Sequence, residues 1–474
     1  MKPSLLCSLL LATGLGVSAA AETNVPPEGF TALFNGKDLA GWYGWGTRDP
    51  SELWNMTPEE QADYKKKSVE GGLPEGKQGP ENIKAHWKVE NGELVNDGKG
   101  LYLTTDKDYG DFELWVEYKA LPKGDSGIYL RGIPQVQIWD ADEEDPKGLG
   151  RAKGSGGLWN NSKGAPGKDP SKRMDKPLGE WNQFKITMIG ERVTVVFNGE
   201  TVVNNAVLEN FFANKKAGYL AYGTPAAKDA KAEAKVPNGW MKDPAFPKGP
   251  IQLQTHGSEI RWRNVFIREI GAEEANKRLA AQNSEGFAEQ INGKDLSNWQ
   301  GAVDSYEIKD GSIVCKAGKG GDLLTKEEFE NGIIRVEFKL PPAGNNGIAL
   351  RTPLGGRSAA DGLEVQVIDS DGYNKKAKKP LEPYQYHGSL YHVAGAKHGY
   401  LRPVGEWNFQ EIEVQGQRIT VTLNGTKILD VDIDKLDRSQ IKTPPKGLDN
   451  RKGFIGFAGH TDPVEFRSFK VKRL

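Results

Sequence analysis

Hydrophobic and polar residues alternate with a period of two along much of the chain, as strands with one buried face require. The run Ile186-Thr-Met-Ile-Gly-Glu-Arg-Val-Thr-Val-Val-Phe-Asn-Gly-Glu-Thr-Val-Val holds two such stretches and an Asn-Gly hairpin turn. Ile412-Glu-Val-Gln-Gly-Gln-Arg-Ile-Thr-Val-Thr-Leu-Asn-Gly-Thr-Lys-Ile-Leu repeats the pattern. Many short strands punctuated by turns predict an all-β protein built from antiparallel sandwiches or jelly rolls. Helical signals are confined to two places. Thr57-Pro-Glu-Glu, inside an insert over residues 47–85, reads as an N-cap with proline at the first helical position and predicts a helix on a domain rim. Residues 271–284, rich in helix formers and charge, predict a short helix or linker. Residues 225–247, rich in Ala, Lys and Pro, predict a mobile loop.

The pattern occurs twice. Gly29-Phe-Thr-Ala-Leu-Phe-Asn-Gly-Lys-Asp-Leu-Ala-Gly-Trp42 returns as Gly286-Phe-Ala-Glu-Gln-Ile-Asn-Gly-Lys-Asp-Leu-Ser-Asn-Trp299. Gly127–Arg131, Val136–Asp140 and Gly179–Asn182 return as Gly347–Arg351, Val365–Asp369 and Gly405–Asn408. Gly249, His256 and Arg263 match Gly453, His460 and Arg467 at one constant offset. A period this long excludes a solenoid and predicts two tandem globular domains, 27–270 and 285–474, joined by the 271–284 linker.

Composition narrows the function. The 63 basic and 64 acidic residues among 474 leave a net charge of −1, which supplies no field for nucleic acid or anionic lipid. Lys2, the apolar run Leu5–Val17 and Ser18-Ala-Ala-Ala21 read as a secretory signal peptide over residues 1–21, so the protein is expected to be secreted or periplasmic and not inserted in a membrane. Cys7 lies in that segment, which leaves Cys315 alone in the mature chain as a small buried hydrophobe in a strand. Oligomeric state leaves no signal.

Alternation also sorts the strand faces. With Ile348, Leu350, Val365 and Val367 inward, Arg351, Glu364 and Gln366 share the opposite face. In the first copy Arg131, Gln135 and Gln137 do the same. Polar rows on adjacent strands would line a groove; the plainer alternative is a solvated sheet face with an Arg–Glu pair. Glu364-x-Gln366-x-x-Asp369 echoes the Glu-x-Asp-x-x-Glu strand of laminarinase-like glycosidases, but an amide stands in the middle. The first copy reads Gln135-x-Gln137-x-x-Asp140, so neither copy has the standard retaining pair.

Taken together, Phe-Asn-Gly-Lys-Asp-Leu-x-x-Trp, Gly110-Asp-Phe-Glu-Leu114, Asp125-Ser-Gly-Ile-Tyr-Leu-Arg-Gly132, Pro134-Gln-Val-Gln-Ile-Trp-Asp140, Gly156-Gly-Leu-Trp-Asn160 and the Gly-Glu-Trp-Asn blocks resemble the 3-keto-disaccharide hydrolase domain family. The resemblance implies two concanavalin A-like jelly rolls and cleavage of glycosides already oxidised at C3. A C3 ketone acidifies the C2 proton, and the C1 substituent is β to the resulting carbanion. Such cleavage needs a base, an enolate stabiliser and an acid for the leaving group. On this reading Glu364 or His460 is the base, Arg351 with Gln366 stabilises the enolate, and Asp369 orients or donates. His387 and His392 flank Gly388-Ser-Leu-Tyr391 and are expected to touch substrate or a metal. Arg131, Gln135, Gln137, Asp140 and His256 are the first-copy equivalents. Trp159 and Tyr391 are the sugar-stacking candidates, while Trp181 and Trp407 are expected to anchor the cores.

The expected partner is an oligosaccharide or glycoside. The sequence establishes no cofactor; a divalent metal ion on the 3-keto oxygen would suit the chemistry, yet no histidine pair has helix ligand spacing, and ordinary loop histidines are the alternative. A non-catalytic lectin-like protein and a conventional endoglycosidase are the competing functions.

Overall fold

The computed structural model describes residues 23–74, 82–212, 237–239, 241–377 and 379–474. The expected signal peptide and most of the 225–247 loop lie outside them.

Both copies fold as sandwiches of one larger and one smaller antiparallel sheet. In the first copy the smaller sheet runs Trp42–Trp45, Tyr102–Thr105, Gln252–Leu253, Asp125–Leu130, Ile133–Trp139. In the second it runs Trp299–Gly301, Gly321–Thr325, Phe454–Gly459, Asn345–Thr352, Leu363–Ile368. The period-two pattern is the cause. In Phe112–Ala120, a central strand of the first larger sheet, buried and half-buried positions alternate without a break. The inward residues of the facing sheets meet in one core per copy, such as Ile128, Val136, Phe184 and Trp262 in the first. In the second copy Ile348, Leu350, Val365 and Val367 all enter the core, as their spacing predicts, and Cys315 is buried beside them.

The copies are joined by more than a tether. Residues Ala272–Ala281 form a helix whose Ala275 and Leu279 pack with Ile189 of one copy and Phe409 of the other. Arg467 reaches back from the second copy to Glu273 on this helix at 2.8 Å. Two hairpin turns also abut: Glu191, 5% exposed, accepts the backbone N–H of Lys427 at 3.1 Å.

The insert helix, Pro58–Glu70, begins at Thr57 with a reciprocal cap to Glu60. It lies along the edge strand Trp42–Trp45, where Gly44 N–H donates to Ser68 Oγ at 3.0 Å. That contact blunts an open sheet edge.

Trp181 and Trp407 depart from expectation. Both are half-buried under cations on the larger sheets, with Arg263 4.1 Å above the ring of Trp181 and Arg467 4.4 Å above that of Trp407. Gly-Glu-Trp-Asn opens a strand with its Asn inward, and alternation sends the Trp outward.

Candidate active site

A groove of about 990 Å³ lies over the outer face of the second copy's smaller sheet. Strand register explains why it is open. Asp322 pairs with Ala458, Ala349 with Gly456 and with Glu364, and Gly347 with Gln366. Leu323, Phe457, Ile348 and Val365 are buried in the core, so their neighbours share the groove face. Two polar walls therefore stand on the strands flanking the central pair, Asp322 on one and Glu364 with Gln366 on the other. The floor between them carries Gly347, Ala349, Gly456 and Ala458, with Asn345 at its end.

Glu364 is 3% exposed and leans across this floor toward Gly347. A Cβ on Gly347 would lie 2.6 Å from Glu364 Cγ and 2.7 Å from its Cδ, so the glycine makes room for the carboxylate. Glu364 Oε1 and Gln366 Oε1 are both buried without a hydrogen-bond partner. A buried acceptor left unpaired is costly and points to a ligand group that completes it. His460 enters from the strand end with Nε2 3.8 Å from Glu364 Oε1, an ion-pair distance. Glu364 chiefly, then Asp462 and Asp322, holds the imidazole's affinity for its proton above the ordinary value, against burial.

Asp322 accepts from Ser358 N–H at 2.6 Å and from Ser358 Oγ at 3.2 Å. Burial, aided by the charge of Glu364, raises its pKa, while the Ser358 donors oppose the shift. Asp322 and Ser358 carry no motif; only strand register reveals them, with the copy-to-copy contrast as the available sequence signal. The far wall is aromatic. Tyr391 and His392 line the groove with ring centroids 4.1 Å apart, and Tyr384 stands 5.2 Å behind His392. His392 has φ +63°, an unusual conformation for a non-glycine residue, and burial lowers its pKa.

The same face of the first copy is filled. Tyr102 replaces Asp322, Tyr129 replaces Ala349, and Gln252 and Gln254 replace Gly456 and Ala458. Tyr102 and Tyr129 pack with Phe212 into an apolar cluster. Gln135, where Glu364 would stand, donates to Gln137 Oε1, and Gln137 Nε2 donates to Asp125 at 3.0 Å. His256 pairs with Asp125 at 3.1 Å, the contact that raises its pKa. Trp159 is half-buried between Trp139, edge-on at 5.8 Å, and Lys168 at 5.2 Å.

Several expected site residues lie elsewhere. Arg351 is 2% exposed and points away from the groove, donating to Gln417, Asn450 O (3.0 Å), Glu330 O (3.1 Å) and Gly416 O (2.5 Å). The cause is a bulge, for Arg351 sits at φ +48° where the register slips between Ala349 and Thr352. Arg131 repeats this with φ +53° and bonds to Gly110 O, Phe246 O and Asp111. Asp369 caps the helix Ser370–Lys376 through Gly372 N–H and also accepts from Ala343 N–H at 2.7 Å. Asp140 likewise holds a turn through Lys123 N–H at 2.8 Å. His387 is inside the core, accepting from Ile368 N–H and bonding Gln410 at 3.0 Å. Burial drives its pKa down to about 3.

The second copy's four histidines thus separate: His392 and His460 line the groove, His387 lies in the core, and His398 stacks on Tyr386. Among the described residues no group of three or more His, Cys, Asp or Glu is placed to hold a metal ion, and no step below is routed through one.

Fold and groove define a tandem β-sandwich protein with a carboxylate–imidazole pair over one small sheet. The chain belongs to the family of the 3-keto-α-glucoside-1,2-lyase-like domain, which matches residues 29–268 and again 286–472. A 3-keto-disaccharide hydrolase of Bacteroides thetaiotaomicron is 26% identical over 249 residues, 44% of this chain and 86% of that protein. Two crystal structures of candidate glycosyl hydrolases from Parabacteroides distasonis are 25% and 27% identical. Each covers 40% of this chain, and 95% and 99% of those chains, at a TM-score of 0.36.

Proposed function

We propose that the second copy's groove cleaves glycosides oxidised at C3, by elimination across C1 and C2, and that the protein does so after export. The observation that carries this reading is Glu364: a buried carboxylate whose Oε1 accepts no hydrogen bond and faces His460 at ion-pair distance, in a groove whose floor beside it carries Gly347 and Ala349. Family membership supports the substrate class. The sequence of residues 1–21 supports export.

Glu364 takes the C2 proton of the bound 3-keto sugar. The electron pair moves into the C2–C3 bond and charge develops on the C3 oxygen. His460, whose protonated form Glu364 favours, stabilises that enolate oxygen. Collapse of the enolate forms the C1–C2 double bond, restores the ketone and breaks the C1–O bond. Water addition at C1 then yields the hydrolysis product. Two carboxylates bracketing an oxocarbenium ion are not needed, consistent with the amide at Gln366. Release of the aglycone is to be compared between a 3-keto-glucoside and its unoxidised parent, with wild type and Glu364→Gln. Turnover of only the oxidised compound, lost in the variant, is expected; equal turnover of both overturns the reading.

A further inference from the structure

We propose that Asp322 is the acid that protonates the departing C1 oxygen, working across the groove floor from Glu364; the assignment rests on the elimination described above. Asp322 and Glu364 stand on strands three steps apart, roughly 14 Å between backbones at ordinary strand spacing. Glu364 leans inward by about one of those steps, over Gly347. What remains is floored by Ala458 and Gly347, with no larger side chain between. A pyranose ring laid there presents C2 toward Glu364 and the C1 oxygen toward Asp322.

The carboxyl is built into this position. Ser358 holds both of its oxygens, one through the backbone amide and one through the hydroxyl. The charges that bear on it are Glu364, which favours its protonated form, and His460, which opposes it. Burial is the largest influence on it and raises its affinity for a proton. The first copy supplies a contrast. There Tyr102 takes the place of Asp322 and bonds Thr47 and Gln254, while Gln135 takes the place of Glu364. The copy without the base is also without the acid.

The step balances without a co-reactant. The C2 proton goes to Glu364, the C1–O bond breaks as the C1–C2 double bond forms, and Asp322 gives its proton to the leaving oxygen. Aglycone leaves as the alcohol, C1 falls and C2 rises by one oxidation level so that no outside oxidant or reductant is needed, and Glu364 returns its proton to solvent as Asp322 regains one.

An acid for the leaving group matters in proportion to how poor that group is. The test uses two 3-keto-glucosides, one with a methyl aglycone and one with a 4-nitrophenyl aglycone, on the full chain. Asp322→Asn is expected to lower kcat/KM about 100-fold or more on the methyl compound and less than about fivefold on the nitrophenyl compound. Ser358→Ala, which frees the carboxyl without removing it, is expected to shift the same way by a smaller factor, in kcat and not in KM. Equal losses on both compounds in Asp322→Asn, or full activity on the methyl compound, overturn the acid assignment while leaving Glu364 as base intact. A wild-type protein inert on both overturns the elimination and the acid together.

Discussion

Gly347 is the position at which activity and stability should separate most cleanly. Its backbone is not in the left-handed region, so Gly347→Ala adds no conformational strain. The new Cβ would stand 2.6 Å from Glu364 Cγ and 2.7 Å from Cδ, well inside van der Waals contact, and the carboxylate must swing away. An off-rotamer glutamate costs about 0.5–1.5 kcal/mol, so the melting temperature should drop by only a few degrees. A general base displaced by about 1 Å, in contrast, loses on the order of 100-fold in rate, or about 2.7 kcal/mol of barrier. The assay is kcat/KM on a 3-keto-glucoside beside thermal unfolding of the same preparations. Gly127→Ala, the matching change in the first copy, meets Gln135 at 3.0 Å and should leave turnover of the folded protein unchanged. Wild-type turnover in Gly347→Ala would refute the role of Glu364, and an equal loss in Gly127→Ala would refute the confinement of chemistry to the second groove.

Two further expectations concern residues that lie outside the groove. Arg351→Met orphans the carbonyls of Glu330, Gly416 and Asn450 and should destabilise the protein by about 3 kcal/mol or more, read by chemical denaturation, with kcat of the folded fraction preserved. His387 has a folded pKa near 3 against about 6.5 in the unfolded chain, so the unfolded state binds the extra proton between those values and stability falls as pH drops through that window. His387→Gln should flatten this slope in denaturation curves at pH 7, 6 and 5; identical slopes in variant and wild type would contradict it.

Period-two alternation made much of the site legible. It placed Ile348, Leu350, Val365 and Val367 inward and Glu364 with Gln366 on one outer face, and duplication brought His460 to the same strand end. It failed where the strands stop being regular. Arg351 and Arg131 sit at left-handed bulge positions, and a bulge turns a side chain off the face that counting assigns. Asp369 falls one residue past its strand, where a carboxylate is better used as a helix cap. Asp322 was invisible for a different reason: its importance comes from pairing with Ala458 across a floor of small residues, and no local pattern encodes a neighbour 136 positions away. The filling of the first groove by Tyr102, Tyr129, Gln252 and Gln254 was likewise out of reach of local pattern, because it depends on which strands pair.

The central claim is that C–H cleavage at C2, by Glu364, precedes loss of the aglycone. Turnover of a 3-keto-glucoside carrying deuterium at C2, against its protium form, tests it most directly. A primary isotope effect on kcat/KM, with release abolished in Glu364→Gln, is the predicted result; identical rates for the two isotopologues together with undiminished release by Glu364→Gln would contradict it.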